Sequence, residues 1–235
     1  MPKNVSGSGT LMTNLHNANA VSRRRFLGYT GAAAALAMAV AACHKDDNPN
    51  PPDNGGIDLG KNDTGILNYA YALEQLEAAF YMQVILTPYS GIPQAEKDLL
   101  TDIRDHEIAH REFFKNALGS GAIQALEVDF SSIDFSSREK VLATAKTFED
   151  LGVSAYNGAG KLITDPGYLT LAGKIVSVEA RHAAYIRDLI SNGSFSDSTV
   201  VDANGLDKVN DPSTVLTAAN MFLKTKVSGA NLPTS

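Results

Sequence analysis

Two segments of this 235-residue chain carry the same short motif, Glu-x-x-His, in surroundings with helical spacing. The first is Glu107 with His110, within DHEIAHREFF, and the second is Glu179 with His182, within VEARHAAYI. Because an α-helix turns by about 100° per residue, side chains three positions apart lie on one face. Apolar residues recur on that face in both segments, so each histidine is predicted near the centre of an apolar stripe with its glutamate at the margin. A solvent-facing helix surface would not have this pattern.

Proline, glycine and capping residues divide the rest of the chain into four long helices and a shorter final one. Short links join the first helix to the second and the third to the fourth, which favours antiparallel neighbours, while the link between the second and third is long. The sequence therefore predicts an all-α fold, a four-helix bundle with a long crossover between helices 2 and 3 and a short C-terminal helix. The predicted helix bounds are about 63–87, 93–118, 136–163, 165–192 and 211–227.

The first and third helices carry a matching pair of another kind. Glu74 is followed by Tyr81, and Glu149 is followed by Tyr156, in both cases seven residues later. Seven residues make nearly two turns, so each tyrosine is predicted on the same face as its own glutamate. The two halves of the domain thus repeat one pattern. The sequence leaves open whether each tyrosine donates to a ligand carboxylate or is an ordinary core tyrosine.

Charge balance favours bound cations at the point where these helices meet. An unpaired buried carboxylate costs several kcal/mol, and four glutamates in one core would bring four negative charges. Two divalent cations would neutralise them. Oxygen and imidazole donors without thiolate are typical of iron or manganese sites and do not exclude zinc.

Over residues 64–192 this pattern resembles the ferritin-like superfamily of di-metal carboxylate proteins. In that group two helices each supply one glutamate, and the other two each supply a Glu-x-x-His pair. The phrases LEQLEAAFY, HEIAH and EARHAAYIR also resemble a bacterial branch related to plant desiccation-related proteins. The resemblance implies a ferritin-like bundle holding two iron or manganese ions. The implied ligands are Glu74, Glu107, His110, Glu149, Glu179 and His182.

For two residues near the implied ligands, Glu77 and His106, the sequence leaves more than one role open. Glu77 occupies the first-helix position that corresponds to the histidines, so it is either an extra ligand, as in the related rubrerythrin group, or a replacement for Glu74. Glu74 ranks first because only it keeps the spacing to Tyr81 that the other half repeats. His106 is predicted to pack, or to be satisfied by a helix neighbour, rather than to bind metal.

The N-terminal region resembles an export signal followed by a lipidation site. SRRRFL, with Arg23 and Arg24, resembles the twin-arginine motif, and the apolar run after it is too short for a membrane span. The run ends at Cys43, in VAAC, which resembles a lipobox, and this is the only cysteine. The predicted organisation is a signal at 1–43, a flexible tether at 44–62, the bundle at 63–192 and a C-terminal extension at 193–235.

The expected function follows from these parts. With 20 basic and 26 acidic residues and no basic stripe beyond the signal, a nucleic-acid partner is not expected. We expect an exported protein, lipid-anchored in the periplasm or at the cell surface, whose di-metal centre acts in iron, peroxide or oxygen redox chemistry. The alternative is a non-catalytic stress or desiccation-related module with structural metals. Expected partners are metal ions and small oxidants, with membrane contact through the lipid only; the sequence is compatible with a homodimer.

Overall fold

A computed structural model describes residues 56–234 of the chain as five α-helices and two very short strands. Four of the helices are long and pack as a bundle, which confirms the predicted all-α fold, and the fifth is short. Two 3-10 turns follow α2 and α5, at Gly119–Gly121 and Asn220–Phe222. The elements are β1 (Ile57–Asp58), α1 (Asn62–Leu86), α2 (Gln94–Leu118), α3 (Arg138–Gly160), α4 (Pro166–Ile190), α5 (Pro212–Ala219) and β2 (Val227–Ser228).

α1 is the central helix of the fold. Its sequence is apolar on nearly every face, and it contacts α2, α3 and α5, so residues such as Ile66, Leu76 and Phe80 are buried on different sides of it. A helix that is apolar all round is stable only where neighbours cover it completely. The short links pair α1 with α2 and α3 with α4, as expected for adjacent antiparallel helices.

Side-chain caps begin two of the long helices where the sequence predicts them. The Ser137 hydroxyl accepts a hydrogen bond from the Lys140 amide at the start of α3. Asp165 accepts from the Gly167 amide at 2.7 Å at the start of α4. The bounds of the four long helices differ from the prediction by a few residues at most: Pro93 lies just before α2 rather than inside it, α3 ends at Gly160 instead of continuing to residue 163, and α4 ends at Ile190 instead of residue 192.

The long crossover is fixed to α1 through a buried asparagine. The Asn68 side-chain amide donates to the carbonyl oxygens of Leu59, at 3.1 Å, and Gly121, at 2.9 Å. Its oxygen accepts from the Ile123 amide at 2.9 Å. One side chain therefore joins the segment before α1, the end of α2 and the beginning of the crossover.

Both ends of the described chain differ from the prediction. The final helix, predicted to continue to residue 227, ends at Ala219, and Val227–Ser228 instead pairs in parallel with Ile57–Asp58. Leu59 is fully buried in the core, so the last part of the predicted tether belongs to the folded domain. A two-residue strand that pairs with a partner at the other end of the chain leaves no local periodicity to detect.

The predicted export and lipidation features, Arg23, Arg24 and Cys43, lie outside the described residues, as do residues 44–55 of the predicted tether. Within residues 56–234, none of the helices combines the length and the apolar character that crossing a membrane requires.

Two glycines near the end of α3 provide a test of how closely the C-terminal segment packs. A Cβ at Gly158 would lie 1.9 Å from the carbonyl oxygen of Asn210, whereas at Gly160 the nearest atom would be 3.9 Å away. Gly158→Ala should therefore lower the free energy of unfolding by about 1–3 kcal/mol, as overpacking does. Gly160→Ala should raise it by up to about 1 kcal/mol through helix propensity. Urea denaturation measures both, and equal effects would contradict the packing of residue 210 on α3.

Candidate metal centre

Each long helix places one glutamate at the centre of the bundle. Glu74 on α1, Glu107 on α2, Glu149 on α3 and Glu179 on α4 all have 0% of their surface exposed. The histidines lie nearer the edge, with 13% of the His110 side chain and 5% of the His182 side chain exposed. This reverses the prediction that the glutamates lie at the margin and the histidines at the centre, because the apolar stripe of one helix does not state how far that helix is rotated about its axis in the bundle. The six-residue cluster consists of Glu74, Glu107, His110, Glu149, Glu179 and His182.

The first half of the cluster surrounds His110. Its Nδ1 atom lies 2.8 Å from Glu179 Oε1, 3.5 Å from Glu74 Oε2 and 3.6 Å from Glu107 Oε2. One ligand atom from each of these four side chains lies within 4.8 Å of the others. Four atoms at such distances enclose a space suited to one cation.

The second half surrounds His182 in the same manner. Its Nδ1 atom lies 2.8 Å from Glu107 Oε1, 3.5 Å from Glu149 Oε2 and 3.8 Å from Glu179 Oε2. These atoms also lie within 4.8 Å of one another. Glu107 and Glu179 thus direct one oxygen to each half, so the two halves share these two carboxylates.

The buried atoms that face the centre of the cluster differ from its other atoms in their hydrogen bonding. Eight buried atoms of the cluster have no hydrogen-bond partner: Oε2 of Glu74 and Glu149, both oxygens of Glu107 and Glu179, and Nδ1 of both histidines. Short N···O distances occur between them, but the ring N–H directions do not point at the oxygens. Buried polar groups are nearly always satisfied, so eight unpaired oxygen and nitrogen atoms that converge on two points are suited to bind metal cations.

Tyr81 and Tyr156 hold the remaining oxygens, in a crossed arrangement. The Tyr81 hydroxyl, on α1, donates to Glu149 Oε1 on α3, and the Tyr156 hydroxyl, on α3, donates to Glu74 Oε1 on α1. Each tyrosine therefore bonds the glutamate of the other helix rather than its own. Burial raises the pKa of both phenols well above the usual range, so each hydroxyl keeps the proton that it donates.

His106 contacts the cluster from outside. It is solvent-exposed, and its Nδ1 atom lies 3.0 Å from Nε2 of His182. The prediction that His106 packs is wrong, because the side chain is exposed, and the neighbour that it contacts belongs to α4. Periodicity along α2 carries no information about which side chain of another helix faces this position.

Glu77 is buried beside the cluster but belongs to neither group of converging atoms. Its carboxylate occupies the space opposite Gly152, where an added Cβ would lie 3.0 Å from Glu77 Oε1 and 3.7 Å from Glu179 Oε2. The glycine stands at the α3 position equivalent to Glu77, three residues after the cluster glutamate. Of the two α1 carboxylates, Glu74 is thus the one whose oxygen lies within the converging set.

The acids of the site hold protons unequally. Burial, followed by the charge of Glu179, raises the pKa of Glu74 and of Glu77 well above the usual range. Burial also raises the pKa of Glu149 to about 8. Burial acts the same way on Glu107, but its short contacts with His110 and His182 prevail and lower its pKa to about 2.

The two imidazoles are strongly basic in the absence of cations. Burial by itself would lower the pKa of His110 and His182, but the surrounding carboxylates, Glu107 foremost, raise both to about 12. Without metal, protonated imidazoles and protonated carboxyl groups balance the buried charge. Any cation that enters must displace those protons, because the ligand atoms bind metals only when deprotonated.

Residues 62–192 match the family model described as Ferritin-like domain. The matched range contains all four long helices and the whole six-residue cluster. A comparison with curated proteins finds no matching sequence.

The raised pKa values predict that metal-free protein loses stability as pH rises. The pKa of folded Glu149 is about 8 instead of the usual 4.5, and the pKa of folded His110 is about 12 instead of 6.5. The folded state therefore binds more protons than the unfolded state across this window, and the free energy of unfolding should fall from about pH 6 to about pH 9.

Urea unfolding of chelated protein across that pH range measures this trend. Glu149→Gln should make the dependence shallower, because the amide cannot ionise. Protein loaded with Mn²⁺ should show a smaller loss, since the cations have replaced the protons. If the chelated protein becomes more stable toward pH 9, the raised pKa values of Glu149 and His110 in the folded state are wrong.

Proposed function

Because the chain belongs to the ferritin-like domain family, we propose that the six-residue cluster binds two divalent iron or manganese ions and acts on dioxygen or peroxide. The observation that carries this proposal is the division of eight orphaned, buried donor atoms into two groups of four that share Glu107 and Glu179. Such sharing favours two neighbouring ions over one ion or two independent ones.

Each half contributes one unshared carboxylate and one imidazole. Glu74 and His110 would bind the first ion, Glu149 and His182 the second, and Glu107 and Glu179 both. Four carboxylates and two divalent cations give a neutral site, which removes the electrostatic cost of burying the acids. Glu77 would be a fifth acid, and its raised pKa supports a protonated carboxyl beside Gly152 that could become an additional ligand.

The donor set suits hard, redox-active cations. Carboxylate oxygen and imidazole nitrogen without thiolate are the donors that iron and manganese accept. A pair of such ions, when bound, supplies the electrons and the Lewis acidity needed to reduce an O–O bond.

The protein's own residues would prepare the site for this chemistry. Tyr81 and Tyr156 fix Glu149 and Glu74 by hydrogen bonds, so that the Oε2 atom of each carboxylate stays directed at the centre. Complete burial of the four glutamates limits access to small molecules such as dioxygen and peroxide. These features favour a rigid site of restricted access.

A non-catalytic role is the second candidate, and one observation favours it. The cluster draws its six side chains from all four long helices, so two ions would cross-link the entire bundle. A stress or desiccation-related module would gain folding stability from the ions without any turnover. The two candidates share the same ligands and differ only in reactivity.

The proposal includes the cellular setting. The SRRRFL and VAAC stretches support export by the twin-arginine pathway and lipidation at Cys43, with the bundle in the periplasm or at the cell surface. The expected partners are metal ions and small oxidants, with the membrane contacted through the lipid, no nucleic acid, and a homodimer as one possible assembly state.

Metal content tests the shared ligands. Elemental analysis of purified protein should find about two metal ions per chain, and Glu107→Ala should lose both, because this carboxylate serves both halves. Glu112→Ala is the matched control on α2, since that side chain is 44% exposed and pairs with Arg111 at the surface. The control should keep both ions. Full metal content in Glu107→Ala, with helical content unchanged by circular dichroism, would refute the shared-ligand arrangement.

Turnover separates the two candidates. Metal-loaded protein should consume peroxide or oxidise ferrous iron, and His182→Ala should lower that rate by at least about a hundredfold. Unchanged rates in that variant would refute the redox proposal. Bound metal with a large loss of melting temperature on chelation, but no turnover with either reactant, would instead support the structural role.

A further inference from the structure

His106 makes an edge-to-edge contact with His182. The rings differ by 9° in plane orientation, and their centroids are 5.2 Å apart, although His106 Nδ1 lies only 3.0 Å from His182 Nε2. Rings that overlapped face to face would bring their centroids closer than this. The two imidazoles are therefore nearly coplanar, which is the geometry of an in-plane N–H···N hydrogen bond.

The position of His182 in the cluster indicates which ring nitrogens of His106 and His182 carry hydrogen. His182 directs Nδ1 at the carboxylates, so this is the nitrogen that faces a metal. A metal-bound nitrogen carries no hydrogen, and the neutral ring then carries its hydrogen on Nε2. With a cation on Nδ1 of His182, its Nε2 would donate to Nδ1 of His106, and His106 would carry its own hydrogen on Nε2.

The other half of the cluster has no equivalent of His106. His106 precedes His110 by four residues on α2, and the residue four before His182 on α4 is Val178. A valine side chain offers no acceptor. Among residues 56–234, the structure contains no hydrogen bond to Nε2 of His110, so the symmetry of the two halves ends at this pair of positions.

We infer that His106 is a positioning residue that fixes the tautomer and ring orientation of His182, and that it makes the His182 half bind a divalent cation more tightly than the His110 half. This inference rests on the proposed metal binding. An outer partner of a ligand imidazole typically changes metal affinity by about 10–100-fold. That range is the difference expected when His106 loses its acceptor.

The test measures Mn²⁺ affinity in two single-half backgrounds by equilibrium dialysis and electron paramagnetic resonance. His110→Ala leaves the full donor set only at His182, and His182→Ala leaves it only at His110. Adding His106→Leu should weaken Mn²⁺ binding about 10–100-fold in the first background and leave the second unchanged. His106→Gln should restore most of the affinity, because its amide oxygen can accept from Nε2.

The matched control is Asp102→Ala, at an exposed position one turn before His106 on α2. Asp102→Ala should leave the Mn²⁺ affinity unchanged in both backgrounds. Equal weakening by His106→Leu in both backgrounds would mean that His106 acts on the bundle generally, and no weakening in either would mean that it acts on neither half. Both outcomes overturn the inference while leaving metal binding intact. Failure of the unaltered protein to bind Mn²⁺ or iron would overturn the proposed function itself.

A second measurement locates the hydrogens on His106 and His182 directly and does not depend on metal affinity. In protein loaded with diamagnetic Zn²⁺, nitrogen-15 magnetic resonance should find His182 hydrogen on Nε2 and His106 hydrogen on its own Nε2. Hydrogen on Nδ1 of His106 would contradict the donor direction. This readout separates a positioning role from a general effect on folding, because it reports proton location directly.

Discussion

The fold depends on placing four carboxylates at one enclosed point and compensating their charge. Glu74, Glu107, Glu149 and Glu179 have no exposed surface, and each comes from a different long helix. Without compensation this concentration of negative charge would force the helices apart or admit water. In the metal-free protein, protons on His110 and His182 and on the raised-pKa carboxyl groups Glu74 and Glu149 provide it, and cations are proposed to provide it when they bind.

The two halves of the domain are nearly equivalent, and their departures from symmetry are informative. The crossed hydrogen bonds from Tyr81 and Tyr156 tie α1 to α3 twice, which holds the unshared carboxylates on opposite sides of the centre. Glu77 opposite Gly152, and His106 where the other half has Val178, break that equivalence. The duplicated glutamates and histidines thus form two similar halves, and the unmatched neighbours Glu77 and His106 give the two halves different surroundings.

Much of this arrangement could be predicted from local patterns. Helical periodicity and caps located the four long helices to within a few residues, and the matched Glu-x-x-His motifs selected the side chains that the structure brings together. Predictions failed where a distant partner decides the outcome. The pairing of Ile57–Asp58 with Val227–Ser228 shortens both the predicted tether and the final helix. The contact between His106 and His182 likewise joins two helices whose relative rotation the sequence does not state.

The sequence by itself determined which side chains are chemically suited to the centre, because residue type and spacing fix what one helix face can offer. It also favoured Glu74 over Glu77 through the repeated spacing to tyrosine. Only the tertiary structure decided that the glutamates, not the histidines, lie deepest, and that each tyrosine bonds the opposite helix. Those outcomes depend on how far each helix rotates about its axis when four apolar stripes pack together, and that rotation is a property of the assembled core.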